Sequence, residues 1–255
     1  MSAPRQPGAE RRILMAATAD LAALEAARAF VALCQGELAE RAEWHVAVSG
    51  GSVATSVVPA MLEAGSAAGL DWSRLHVWFA DERFLDRGDA ERNATPIAAA
   101  LRKAEGFVPE HLHPALARDE AESLEASAEA YAHELQTTVP AGPAGLPSLD
   151  LVLLGAGPDG HTASLFPGRE GHEAEDRLVI PVDDSPKPPP ERVTLSLAAI
   201  RAAARTWAVV TGSGKAEAVV RAVEADDAAN SPLGAATGRE ETLLIVDEAA
   251  GAGLG

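Results

Sequence analysis

The chain has 255 residues, of which 47% are hydrophobic, and carries a formal charge of −17 at pH 7. This length and apolar content suffice for one large globular unit. The acidity argues against nucleic acid or an anionic membrane as partner, because both require lysine and arginine to displace counterions.

No apolar run is long enough to span a bilayer, and the N-terminal MSAPRQPGAERR lacks a signal-peptide core, so a cytoplasmic enzyme is the expectation. The single cysteine, Cys34, lies in an apolar helical stretch and reads as a small buried hydrophobe, with no disulfide or cysteine-based metal site available. Residues 1–11 read as a flexible lead-in and 12–255 as one domain.

An edge strand is expected over 12–17. Leu21, Leu24, Phe30, Val31 and Leu38 recur at helical spacing and predict a helix over 20–40, with Asp20 as its N-cap. A short strand over 45–48 runs into Ser49-Gly50-Gly51-Ser52 and a helix through 62. A strand over 75–80 ends in Asp81-Glu82-Arg83, read as a loop. Helices come next over 93–102 and 119–136, then a short linker, VPAGPAGLP, over 139–147. A central strand is expected over 149–154, with shorter strands over 178–182 and 192–195 around a proline run. A strand over 206–210 precedes a helix over 215–223. The last strand spans 242–246, and a short terminal helix is expected. Strands alternating with helices give the fold class: α/β, a mainly parallel sheet with helices on both faces.

The stretch 151–168, LVLLGAGPDGHTASLFPG, carries most of the chemistry. A buried parallel strand breaking at Gly155 and Gly157 delivers the next residues to the crevice at the sheet's carboxyl edge. Asp159, Gly160, His161, Thr162 and Ser164 are expected there. Two further strand–glycine–helix turns, at 49–52 and 211–215, offer free amides and a positive helix end to a phosphate. Lys215 adds a formal charge to the second of these.

Only three lysines occur, Lys103, Lys187 and Lys215. Lys187 and Arg192 sit in SPKPPPERVT, where consecutive prolines stiffen the backbone. Arg192 opens a strand and is aimed inward, where its guanidinium could grip phosphate oxygens in bidentate fashion. Of the three charges at 81–83, at least one faces the crevice. Arg83 is read as an anion ligand or carbonyl polariser, Asp81 as a partner of a sugar hydroxyl, and Glu82 as a candidate for an internal ion pair that shapes the loop. His111 and His113 point one way from a short strand but lack an evident third ligand, so they read as surface groups. His45, His76, His133 and His172 show no polar constellation around them.

Taken together and in order, five segments resemble the 6-phosphogluconolactonase family, within the larger group that includes glucosamine-6-phosphate deaminases: Ser49–Ser52, Asp81–Arg83, Leu154–Gly168, Ser185–Thr194 and Thr211–Lys215. The resemblance extends to about Asp247. It implies a Rossmann-like three-layer fold, hydrolysis of 6-phospho-D-glucono-1,5-lactone to 6-phosphogluconate in the oxidative pentose phosphate pathway, a small-molecule substrate, and neither metal nor organic cofactor. A monomer is the expectation. Carried over position by position, Gly51, Ser52, Arg192 and Lys215 would hold the 6-phosphate, with Gly50, Gly160 and Lys187 also binding substrate. His161 would be the base, with Asp81, Arg83 and Asp159 at the sugar end. The chain departs from the family in having Val53-Ala54 after the first glycine turn, where Thr-Pro is frequent, and Arg92-Asn93 in place of Ser-Asn. The deaminases follow Asp-Gly-His with Asn-Glu, whereas Leu165-Phe166 stand here. A sugar-phosphate sensor without catalysis would not need His161.

Overall fold

The computed structural model describes residues 8–169, 177–224 and 229–254. Seven strands form one sheet: β1 (Arg11–Ala16), β2 (Trp44–Val48), β3 (Leu75–Phe79), β5 (Leu112–His113), β6 (Leu151–Leu154), β9 (Arg205–Val210) and β10 (Glu241–Asp247). Their order across the sheet is β1-β10-β9-β6-β2-β3-β5, and every neighbouring pair is parallel. The expected α/β class is therefore observed, and β6 occupies the centre of the sheet.

Alternation along the strands builds two cores. Ala47, Val152, Leu154, Ala208 and Leu244 point to one face, covered by α4 (Leu124–Thr138), α5 (Leu197–Ala202), α6 (Ala216–Glu224) and α7 (Pro232–Ala235). Val46, Val48, Leu151, Leu153 and Ile245 point to the other, covered by α1 (Ala19–Glu40), α2 (Val58–Ala67) and α3 (Ala94–Leu101). With both faces covered, the strands read as continuous apolar runs. Cys34, on the inner face of α1, is fully buried, and burial raises its thiol far above the ordinary range, which suits a packing role.

Strand order reverses between β2 and β6: from β2 the chain builds outward through β3 and β5, whereas β6, β9 and β10 lie on the other side. In open parallel sheets, ligands settle at such a switch point, outside the carboxyl ends. The three glycine turns come after β2, β6 and β9, which are consecutive in the sheet, so the fold gathers them at one place.

Several elements differ from expectation, each for a local reason. The N-cap of α1 is Thr18, whose hydroxyl accepts from Leu21 N–H at 3.2 Å, and Asp20 lies within the first turn. Helix α4 starts at Leu124 because Ser123 caps it, while Asp119 instead accepts from the Arg87 N–H. Segment 139–147 is a closed loop with an Ala141–Pro147 bridge. After β10 the chain makes turns, and no terminal helix occurs among the described residues. Ahead of β1, the Ala9 N–H donates to Gly238 O at 2.9 Å, so the chain is already docked before residue 11. His172 lies outside the described residues.

The largest departure is a second, antiparallel sheet of β4 (Asp81–Arg83), β7 (Val179–Val182) and β8 (Arg192–Leu195), in the order β4-β8-β7. The 81–83 segment, expected as a loop, is strand β4. It pairs Asp81 with Thr194, Glu82 with Val193 and Arg83 with Arg192. This short sheet starts only one residue, Ala80, after β3 and forms a wall beside the switch point.

Candidate active site

After β6 the chain turns tightly. Gly157 N–H donates to His161 O at 2.9 Å and Gly160 N–H to Gly157 O at 3.0 Å, with Gly160 at φ +87°. The Gly160 amide is therefore spent within the turn and not offered to a substrate, contrary to expectation. Its glycine identity serves the backbone conformation. Gly157 is required for another reason: a Cβ there would lie 2.0 Å from Cε1 and Nδ1 of His161 and 2.4 Å from Asp159 Oδ1.

The turn sets the Asp159 carboxylate 2.5 Å from His161 Nδ1. Partial burial pushes Asp159 upward, but the hydrogen bond from His161 and the nearby positive charges outweigh it and hold the carboxyl at about 2. Asp159 is thus ionised, which assigns the Nδ1 proton to the imidazole and leaves the lone pair on Nε2. Nε2 takes no partner among the described residues. Burial lowers the proton affinity of His161, Asp159 opposes this, and Lys187 reinforces it, with a net shift below the ordinary histidine value.

Lys187 Nζ lies 3.0 Å from His161 Nδ1 and 3.3 Å from Asp159 Oδ1. Since Nδ1 already carries a proton, the ammonium donates to Asp159, and its charge disfavours the imidazolium. Phe166 packs on the imidazole at a centroid distance of 4.8 Å.

Lys215 comes after Gly212, which has φ +93° and an N–H that donates to both Asp247 carboxylate oxygens at 2.9 and 3.1 Å. It closes a one-turn 3-10 segment, Ser213–Lys215, ahead of α6, rather than opening the helix. The ammonium donates to Ala156 O at 2.8 Å, one residue from Gly157. Its proton affinity is lowered by burial and by Lys187, which places the two ammonium groups in one field.

Arg192 is buried, and its Nε–Nη2 edge is committed: Nε to Pro189 O at 3.1 Å, and Nη2 to Lys187 O at 3.0 Å and Pro188 O at 3.1 Å, while Nη1 faces Ser164 Oγ at 3.4 Å. It sits 5.9 Å from the Phe166 centroid and 3.9 Å from Asp81. The expected bidentate grip on a phosphate is not the geometry found. The guanidinium folds the proline loop and thereby holds Lys187 in place. Asp81 is also buried, accepting from Ser164 Oγ at 2.8 Å. Ser164 and Thr162, whose hydroxyl donates to Gly155 O, are interior rather than crevice groups.

Register puts Arg83 beside Arg192, and its Nη1 donates to Glu91 O at 2.5 Å. Glu82 points the other way and accepts from the N–H groups of Arg83, Asn93 and Ala94 at 2.8, 2.7 and 2.9 Å, with buried Arg92 at 3.6 Å. It is the internal ion pair expected of it, and it satisfies the first N–H groups of α3.

In the first turn, Gly51 has φ +61°, and the N–H groups of Gly50 and Gly51 find no acceptor among the described residues. Gly50 is pinned by Asn93, whose amide side chain would meet a Cβ there at 1.9 Å and which donates to Asp81 O at 2.8 Å. Ser52 is exposed, and Val53 and Ala54 are buried in the core. Asn93, Asp247 and Gly157 support the site and were not singled out as site residues from sequence. An acid ending the last strand, beside a glycine turn, was the available signal for Asp247.

An acid–imidazole pair, two ammonium groups and unpaired glycine amides thus converge at the switch point of a parallel sheet, a site suited to an anionic substrate undergoing proton transfer. Residues 17–245 match the family described as glucosamine-6-phosphate isomerases/6-phosphogluconolactonase, and the chain belongs to it. Among curated relatives, a 6-phosphogluconolactonase of Streptomyces coelicolor is 42% identical over 85% of this chain and 84% of its own. Another from Mycobacterium tuberculosis is 35% identical over 92% and 95%. Among solved structures, a devB protein superposes with TM-score 0.84 at 28% identity, covering 96% of this chain and all of that one. A monomeric glucosamine-6-phosphate deaminase shares the fold at TM-score 0.77 and 16% identity, over 95% and 99%.

Proposed function

We propose that this chain is a 6-phosphogluconolactonase, hydrolysing 6-phospho-D-glucono-1,5-lactone to 6-phosphogluconate. The relatives' names support the reaction. The observation that carries it within this molecule is the Asp159–His161 pair, which leaves an unshared Nε2 lone pair beside the positive field of Lys187 and Lys215.

The lactone is an activated ester, so one base suffices. His161 Nε2 removes a proton from water as the water oxygen bonds to C1. Charge gathers on the former carbonyl oxygen and is met by Arg83. Collapse breaks the bond from C1 to the ring oxygen, which leaves with the proton returned by the imidazolium. Asp159 stabilises the imidazolium and fixes its tautomer. Lys187 and Lys215, with Ser52 and the glycine turn, hold the phosphate. Arg192 acts through the loop it folds, and Asp81 orients that wall.

The acidic exterior and this few-cation crevice favour a small phosphorylated substrate, without nucleic acid or membrane. No described helix is long and apolar enough to cross a bilayer. We place the enzyme in the cytoplasm, acting as a monomer from a single domain over 12–255. The chemistry assigned to His161 needs no metal or organic cofactor.

The test is to generate the lactone in situ and follow acid release with and without the chain, with and without a strong chelator, assaying ammonia release from glucosamine 6-phosphate in parallel. Accelerated, chelator-insensitive lactone hydrolysis without ammonia is expected. Ammonia release, or activity restored only by added metal, overturns the reading. The deaminase chemistry is disfavoured because Leu165 is fully buried and Phe166 packs against the imidazole, so neither can relay a proton.

A further inference from the structure

The opposite, amino-terminal edge of the large sheet carries a cluster that the lactonase reading does not use. His45 and His76 are register partners on β2 and β3, Trp78 and His113 on β3 and β5, and His111 closes the one-turn segment before β5. Contrary to the surface reading, His113 is buried, and so are His45 and His76, which stand in a polar constellation that was not expected. The rings form a column: His45 to His76 at 4.5 Å and 28°, His76 to His111 at 3.8 Å and 21°, and Trp78 to His113 at 3.9 Å and 9°.

Hydrogen bonds fix the tautomers. Glu134 of α4 lies 2.6 Å from His113 Nδ1, so that nitrogen donates and Nε2 is left to accept. His76 Nδ1, 2.9 Å from His113 Nε2, must then be the donor, which leaves a lone pair on His76 Nε2. That atom is buried and has no hydrogen-bond partner; the nearest charge is Glu43 Oε2 at 3.7 Å, on a half-exposed side chain. Trp78 Nε1–H donates to His45 Nδ1 at 3.2 Å.

Other charged groups face the column from each packed element. Arg41, held by Asp150, lies near His45, and Asp150 itself accepts the His45 N–H at 2.7 Å. Arg74 binds the Arg41 and Ala42 carbonyls. From α4, Tyr131 faces Trp78 at 6.0 Å, while Glu110 and His133 are exposed.

Glu43, His45 and His76 bring ligand atoms within 4.8 Å of one another, which invites a cation. Two features oppose a metal ion. The His45 Nδ1 lone pair is engaged by Trp78, and near-parallel stacked rings cannot aim two lone pairs at one ion, which must lie in both ring planes. The unclaimed lone pair on His76 suits a proton.

We propose that this column is an acid-operated latch that holds the β5 edge on the large sheet while its rings are neutral and releases it when they take up protons. Burial and the mutual repulsion of the rings keep His76 down to about 4 and His45 to about 3, against about 6.5 in an unfolded chain. The stabilisation is therefore complete above about pH 6.5 and is lost as pH falls toward 4. Between those limits unfolding takes up two protons at these rings, so the pair alone raises the unfolding constant by up to about a hundredfold per pH unit.

The test is urea denaturation of the full chain from pH 7 to 4.5, beside His76→Phe, which keeps an aromatic ring but no proton site, with lactonase activity at pH 7 as the folding control. The variant should lose about tenfold per pH unit of the acid dependence. Independently of any variant, NMR titration of the parent should show two histidine rings still uncharged at pH 5, and hydrogen exchange at 111–113 should accelerate there before that of β6. Unchanged acid dependence in the variant, all rings titrating between pH 6 and 7 in the folded chain, or uniform acceleration of exchange overturns the latch. Stoichiometric zinc binding by the parent that His76→Phe abolishes would replace it with a metal site.

Discussion

Replacing Gly157 by alanine tests whether the imidazole's position, rather than its presence alone, sustains turnover. The new methyl would stand 2.0 Å from two ring atoms of His161, whereas ordinary contact begins near 3.4 Å, so the ring must withdraw by roughly 1.4 Å. The carboxylate of Asp159, 2.4 Å from the same point, cannot follow and keep its bond. A misplacement of about 1 Å costs on the order of a hundredfold in rate, or about 2.7 kcal/mol of barrier. We expect kcat to fall by that factor while the melting temperature shifts only a few degrees, because the displaced groups are partly solvated. Gly155→Ala is the paired control: its methyl would meet nothing nearer than Val53 at 3.5 Å, and kcat should stay within a few-fold of the parent. The assay is single-substrate lactone hydrolysis with thermal melts on the same preparations. Parental kcat in a folded Gly157→Ala chain would refute the assignment of His161 as a positioned base.

The pH dependence of kcat/KM should show an acid limb below the ordinary histidine value of about 6.5, since the net environment of His161 disfavours its charged form. Lys187→Met removes a charge that lowers His161, so the limb should move to higher pH, and an unmoved limb would detach Lys187 from the base. Glu82→Ala leaves three backbone N–H groups without an acceptor and buried Arg92 without its counter-charge and should cost about 3 kcal/mol by urea denaturation, with Glu82→Gln costing less. Asp247→Ala frees the Gly212 turn and should raise KM several-fold with little change in kcat, because it loosens Lys215 without touching His161. An unchanged KM would separate Lys215 from the phosphate.

Much of the frame was legible because it rests on local signals. The apolar run at 151–154 broken by glycines placed the central strand, and the same grammar after 48 and 210 marked two more crevice turns. What could not be read was pairing across long separations. Nothing local in Asp81-Glu82-Arg83 announces a strand whose partner begins at Arg192, and only that pairing settles which of the three charges is interior. Likewise Arg192 was correctly turned inward, yet its donors go to proline-loop carbonyls that are not visible as acceptors until the loop is folded. The histidines were misjudged for the same reason: His45, His76 and His113 are scattered in sequence and become a column only through the registers of β2, β3 and β5.

Ala80, the single residue between the third and fourth strands, acts as a phase setter. One inserted amino acid there would invert the alternation of the short sheet, turning Glu82 away from the start of α3 and breaking the contacts of Asp81 with Ser164 and of Asn93 and Ala94 with Glu82. Length at this joint should therefore be among the least negotiable properties of the chain, while the 139–147 loop, far from any such parity, can grow or shrink without disturbing the crevice.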